Sequence, residues 1–144
     1  MKSQDKDVLI KTGKGYTTTI LSGKHELIAD EPAAIGGANL GPDPYAYLLA
    51  SLGACTAITL RMYADRKEWP LEEIHITLNH SRNHAADCAD CEAKDVRIDV
   101  IKKRLTLLGP LSDEQRKRLV QISDRCPVQK TLANGIRIES EEIL

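Results

Sequence analysis

Phenylalanine is absent from the 144 residues, and aromatic side chains together make up 3 %. So few rings give poor stacking for bases or sugars, which argues against single-stranded nucleic acid as a ligand. Charge of one sign is lacking as well: 20 basic and 21 acidic side chains are interspersed and leave a net charge of −1. That removes the basic field a nucleic-acid partner needs and the acidic tail of a disordered chain. Long hydrophobic runs are missing too. The longest uncharged stretch, Pro44 to Leu60, has 17 residues and includes Pro, Ser, Gly, two Tyr and two Thr. It is short for a membrane span and reads as a buried helix, so no membrane partner is expected. The opening MKSQDKDVLI is charged and has no apolar signal region, so a cytoplasmic protein is expected. Its four cysteines are then reduced at rest, and any disulfide is catalytic or redox-sensing.

What is present is an ordinary globular composition, 42 % apolar, in a length that suits one domain over 1–144. Residues 8–21 are β-branched and broken by Gly13 and Gly15, which predicts strand, turn and strand. HELIAD (25–30) predicts a further short strand, and the Gly/Pro-rich 31–43 a loop. A long helix follows, with Asp43 as N-cap and Pro44 at its first position. Leu48, Leu52, Cys55, Thr59 and Met62 form one stripe; Ala46, Ala50, Gly53, Ala54, Ala57 and Ala64 form a small-residue side. A helix uncharged on every side for four turns is expected in the core. EIHITLNH (73–80) and DVRIDV (95–100) alternate strictly and predict an antiparallel hairpin around a long loop. Ser112 and Gln115 make a capping-box pattern for a second helix. Pro127 starts a short third helix closed by Asn134-Gly135, and IRIES (136–140) predicts a last strand.

Two sets of residues could carry chemistry. The hairpin loop, NHSRNHAADCADCE, groups His80, His84, Cys88 and Cys91. Four soft or borderline ligands in two close pairs fit a structural zinc site. A C-x-x-C dithiol and a solvated loop with two spare thiols are the other readings. The second set is Cys55 and Cys126. Cys55 alone reads as a small buried hydrophobe. Cys126 stands at a helix start, where unpaired N–H groups and the positive dipole end favour a thiolate, with Arg125 and Lys130 close in sequence. Spacing does not say whether the fold unites the two.

GPDPYAYLLASLGACTAITL, with Cys55 eleven residues after Pro44, and the later DRCPVQKTL resemble the OsmC/Ohr family, nearer its OsmC-like branch. The resemblance covers most of the chain. It implies an α+β fold with antiparallel sheets around a long buried central helix, and an intertwined homodimer with an active site on each side of the interface. It also implies a thiol peroxidase for organic hydroperoxides, active in oxidative-stress defence. Cys55 would be the peroxidatic cysteine, Cys126 its resolving partner, and an external dithiol the reductant, with no cofactor required. The family usually supplies an arginine near the first turn and a glutamate early in the central helix to stabilise the thiolate. This chain has Lys14 and Tyr45 at those places. Lysine is a point charge and cannot form the arginine's bidentate fork. The departure leaves a second function open: a homologue that has lost the chemistry and binds a small apolar ligand or a protein partner in the same pocket.

Overall fold

The computed structural model of the protein describes residues 6–84 and 97–143. Backbone contacts divide it into two compact units, residues 1–50 and 51–144, with the division inside the long helix.

In the first unit, β1 (Leu9–Thr12), β2 (Thr18–Ser22) and β3 (His25–Ala29) form an antiparallel sheet in that order. The register aligns Ile10 with Ile20 and Ile20 with Leu27. The loop after β3 winds around the Asp30 carboxylate, which accepts from Thr17 Oγ1 at 2.9 Å, Glu31 N at 2.8 Å and Leu40 N at 3.2 Å. Helix α1 (Pro44–Lys67) starts as the sequence predicts: Asp43 Oδ1 accepts from Ala46 N at 2.7 Å. Tyr47, one turn on, donates its hydroxyl to Ile28 O.

The second unit holds the rest of α1, the paired strands β4 (Glu73–His84) and β5 (Arg97–Leu108), and helices α2 (Asp113–Ser123) and α3 (Pro127–Asn134). The hairpin is antiparallel, from Glu73 opposite Leu108 to His84 opposite Arg97. Both strands are longer than the alternation suggested. The register also corrects the predicted apolar face of the second strand. Ile101, Leu105 and Leu107 lie opposite His80, Ile76 and Ile74, whereas Ile98 and Val100 share the other face. The short alternating segment at 95–100 catches only the start of the strand, before a face-determining run at 101–108.

Leu60, Ala64, Leu71, Leu107, Leu119 and Ile122 make one core. Helix α2 is fixed at its start by the expected capping box of Ser112 and Gln115. Arg116 secures it to β5, donating to Leu107 O at 2.6 Å and Gly109 O at 2.9 Å.

Within the single chain helix α1 is covered on one side: six of its 24 residues are buried, namely Leu52, Gly53, Cys55, Thr56, Leu60 and Ala64. Ile58 and Met62, one turn apart on the opposite side, keep 48 % and 55 % of their surface. One chain of this size covers one side of such a helix and leaves the other. By length and composition α1 could also cross a bilayer, but its Leu60 and Ala64 belong to the core just described. One expectation is corrected, at residues 136–140. They form no strand, and Ile136 and Ile138 are 57 % and 83 % exposed. Alternation gives a segment strand propensity, but a strand also needs a partner, and this segment pairs with none of the described strands.

Candidate active site: a thiol pair at the start of a short helix

Cys55 and Cys126, 71 positions apart in sequence, meet in the second unit. They form one buried cluster with Leu52, and Leu78, Ile101, Val128 and Leu132 pack around it. Gly53 permits the approach of α1 to β4 here: a Cβ at this position would lie 2.8 Å from Leu78 Cδ1. Cys126 is fully buried and Cys55 is 6 % exposed; both are free thiols.

The first turn of α3 serves both sulfurs. Pro127 occupies the first helical position, so the next two N–H groups are the ones left to cap. Gln129 N donates to Cys126 Sγ at 3.3 Å, making Cys126 the N-cap with an extended backbone (φ −62°, ψ 134°). The Val128 N–H points to the Cys55 sulfur. The thiols share one buried cluster, and their acidities move apart. Burial, the largest influence, pushes the Cys55 thiol up, and the neighbouring Cys126 adds to the rise against the Val128 N–H and the Thr59 hydroxyl. Burial also acts to raise Cys126. There it is outweighed by the Gln129 N–H, the Thr56 hydroxyl, the Cys55 thiol and the charge of Lys103, so Cys126 falls below the ordinary thiol value.

Lys103 was not among the residues the sequence singled out. It lies on the core face of β5, opposite Leu78, with its side chain 10 % exposed. Its Nζ donates to Gln129 Oε1 at 2.6 Å, Ser123 O at 2.8 Å and Thr56 Oγ1 at 3.3 Å. Alternation offered a signal, since Ile101, Lys103, Leu105 and Leu107 put a lysine in an otherwise apolar row. Reading it required the register. The cation acting on Cys126 is thus Lys103 from another strand, where sequence proximity suggested Arg125 and Lys130, both of which are exposed.

Lys14 lies in the β1–β2 turn of the first unit and is exposed; Tyr45 is the second residue of α1 and 51 % exposed. Arg61, further along the helix, donates to Leu71 O and Glu72 O and so holds the connection to β4.

The suggested metal ligands are only partly visible. Cys88, Cys91 and the side chain of His84 lie outside the described residues. His80 pairs with Asp99 at 2.8 Å, and Arg82 Nε reaches the same carboxylate oxygen at 3.2 Å. His80 and then Arg82 hold the Asp99 carboxyl below its ordinary range. Among the described residues no three His, Cys, Asp or Glu side chains are grouped to hold a metal.

The profile of the OsmC-like protein family matches residues 36–141, which include both cysteines. No curated protein sequence matches. Solved structures share the fold. An OsmC-like protein from Mycoplasma pneumoniae is 21 % identical, with TM-score 0.73 over 92 % of this chain and 89 % of that one. An organic hydroperoxide resistance protein from Legionella pneumophila is 18 % identical, with TM-score 0.62 over 90 % of each. Another from Vibrio cholerae, with captopril in one of its active sites, is 18 % identical, with TM-score 0.59 over 89 % and 85 %.

Proposed function

The chain belongs to the OsmC-like protein family, and from that premise we propose that it is a cysteine-based peroxidase that reduces organic hydroperoxides in oxidative-stress defence. The observation that carries the reading is the pair of free thiols packed in one buried apolar cluster at the first turn of α3. The hydroperoxide resistance proteins that share the fold add support.

In this reading the Cys55 thiolate attacks the peroxide O–O bond and takes one oxygen as a sulfenic acid. The alkoxide leaves and is protonated to an alcohol. The Cys126 thiolate then attacks the Cys55 sulfur, forming a disulfide and expelling hydroxide, which ends as water. An external dithiol reduces the disulfide and becomes one itself. Leu52, Leu78 and Ile101 line the pair with apolar surface, which suits an organic peroxide and keeps water from the sulfenic acid. No cofactor takes part. Lys14 and Tyr45 are proposed as supplementary groups, and the cytoplasm as the reducing compartment in which the cycle runs.

The working unit is proposed to be a homodimer, with the domain spanning the whole chain. The uncovered side of α1 and the half-exposed Val8, Leu9, Ile10 and Leu27 of the first unit support this.

One observation favours a second reading, a family member that binds a small apolar ligand without turning it over: the Cys55 thiol is pushed up, away from the nucleophilic form. Thiol titration before and after one equivalent of cumene hydroperoxide separates the two. Peroxidase action consumes two thiols per chain in the wild type and no disulfide in Cys55→Ser, with peptide mapping joining Cys55 to Cys126. Equal thiol loss in both proteins, or a map joining only Cys88 to Cys91, rejects the peroxidase.

A further inference from the structure

We propose that Lys103 is a positioning residue that fixes Cys126, not Cys55, as the thiolate of the pair, so that Cys126 is the sulfur that departs when the disulfide is reduced. For its place in a catalytic cycle this rests on the thiol-peroxidase reading above.

A lysine inside a protein is costly unless its charge is met. The three acceptors at Lys103 Nζ are a hydroxyl, a backbone carbonyl and an amide, all neutral. The nearest carboxylate, Asp124 at the end of α2, is 3.9 Å away and 68 % exposed, so water screens it. A Cys126 thiolate would supply the buried counter-charge. One of the lysine's three partners also touches that sulfur. Gln129 donates its backbone N–H to Cys126 Sγ while its side-chain oxygen holds Lys103 and its amide nitrogen reaches Asp124 Oδ1 at 3.0 Å. Thr56 accepts from Lys103 and gives its own hydroxyl proton to Leu52 O at 2.8 Å. Around Cys55 the acting groups are the Val128 N–H, the Thr59 hydroxyl and the other thiol, none of them cationic. Among the described residues the charged and titratable groups acting on the pair are therefore Lys103 from β5 and each cysteine on the other, with Asp124, after α2, held by Gln129.

The consequence lies in the reductive half-cycle. An external thiolate attacks Cys55 Sγ, since Cys55 is the less completely buried residue of the two. The S–S bond breaks and its electron pair leaves on Cys126, where Lys103 stabilises it; a lower thiol pKa makes a faster leaving group. The mixed disulfide on Cys55 is then cleaved by the reductant's second thiolate, which attacks its own partner sulfur. Cys55 is released and takes up a proton, and the reductant departs as a disulfide. The same thiolate on Cys126 needs no deprotonation before it attacks a Cys55 sulfenic acid.

The direct test is a pH titration of the reduced full-length protein carrying 13Cβ-labelled cysteine, followed by NMR. Cys126 should ionise at lower pH than Cys55. Lys103→Met should raise the Cys126 midpoint, and Lys103→Arg, which keeps the charge, should restore most of it. Cys55 ionising first in the wild type overturns the proposal even if a variant fails to fold. So does a Cys126 midpoint that Lys103→Met leaves in place. A second measurement oxidises the pair with diamide, reduces it with a monothiol, quenches with acid and maps the mixed disulfide. Cys55 should carry it by roughly tenfold over Cys126, and Lys103→Met should slow reduction about tenfold; a mixed disulfide chiefly on Cys126, or an unchanged rate, overturns the leaving-group assignment. Diamide makes the disulfide here, so a protein inert to hydroperoxide loses the peroxidase reading alone. A protein that diamide cannot cross-link at Cys55 and Cys126 loses both.

Discussion

Truncating the open side of α1 should split a dimer without unfolding the chain. Ile58 and Met62 lie one turn apart on that side, with 48 % and 55 % of their surface exposed in the single chain. Complete burial of such a side chain is worth about 1.5–3 kcal/mol. Covering the remaining half contributes about 1 kcal/mol for each residue. A two-fold interface uses the same patch twice, so Ile58→Ala with Met62→Ala removes four such contributions, about 4 kcal/mol per dimer. At about 1.4 kcal/mol per tenfold, the dissociation constant rises roughly a thousandfold. Sedimentation or light scattering over a dilution series reads this as a fall toward the 15.9 kDa of one chain. The melting temperature of the wild type should also rise with protein concentration. A wild type that stays at 15.9 kDa at every concentration refutes the reasoning, as does a double variant that dissociates at the wild-type concentration.

Leu60→Ala strikes the covered side instead. Leu60 is fully buried among Ala64, Leu71, Leu107, Leu119 and Ile122, so the loss should be about 2–5 kcal/mol, seen as a lower urea midpoint; a cost under about 1 kcal/mol would place the residue outside the core. Asp30 should make the first unit acid-sensitive. Burial works to raise its carboxyl, but the backbone N–H groups of Glu31, Leu40 and Ala38 and the Thr17 hydroxyl together hold it below its ordinary 3.8. A depressed folded-state pKa stabilises above the unfolded value and is lost as pH falls through it. Urea midpoints should therefore drop from pH 5 toward pH 3 in the wild type and drop less in Asp30→Asn; parallel curves would show that the contacts do not favour the charged form. Thr56→Val should raise the Cys126 midpoint in the cysteine titration and slow reduction of the diamide-formed disulfide, because it removes the hydroxyl that anchors Lys103 and helps to lower the Cys126 thiol. An unshifted midpoint would remove Thr56 from the network.

Features encoded within a few residues were legible in the sequence. Asp43-Pro44 marks the start of α1, Ser112 and Gln115 cap α2, and Cys126-Pro127 opens α3, each by a local hydrogen-bonding or steric rule. Non-local pairing was not. The core face of β5 depends on which residue lies opposite Ile74, and the short alternation at 95–100 selected the wrong parity. The cover of α1 is non-local in the same way. Apolarity on all sides states what a helix needs covered, but not whether one chain supplies the cover. At IRIES the alternation was read as a strand, although the segment pairs with none of the described strands.

The cysteines show how local and distant chemistry combine at one site. Cys126 was legible because its helix-start environment is written in the adjacent residues. Cys55 looked like an ordinary core thiol, and its isolated environment gives it no different character: burial pushes it up. What changes its standing is the neighbour. A buried thiol packed against a second one has its charge coupled to that neighbour's. The partition of charge within that pair is set by whatever cation lies nearest, and here it is Lys103, 23 residues before Cys126 and on another element. The family resemblance expects an arginine and a glutamate to act on the first sulfur and assigns Lys14 and Tyr45 to those places. A cation fixed beside the second sulfur moves the stabilised charge to the resolving and leaving steps. On that argument the pair should be quick to form its disulfide and quick to be reduced, while the first attack on peroxide, which needs a Cys55 thiolate, should set the rate. Raising the pH should then accelerate the peroxide step through the ionisation of Cys55. A peroxide step that follows the Cys126 titration instead would contradict this division of roles.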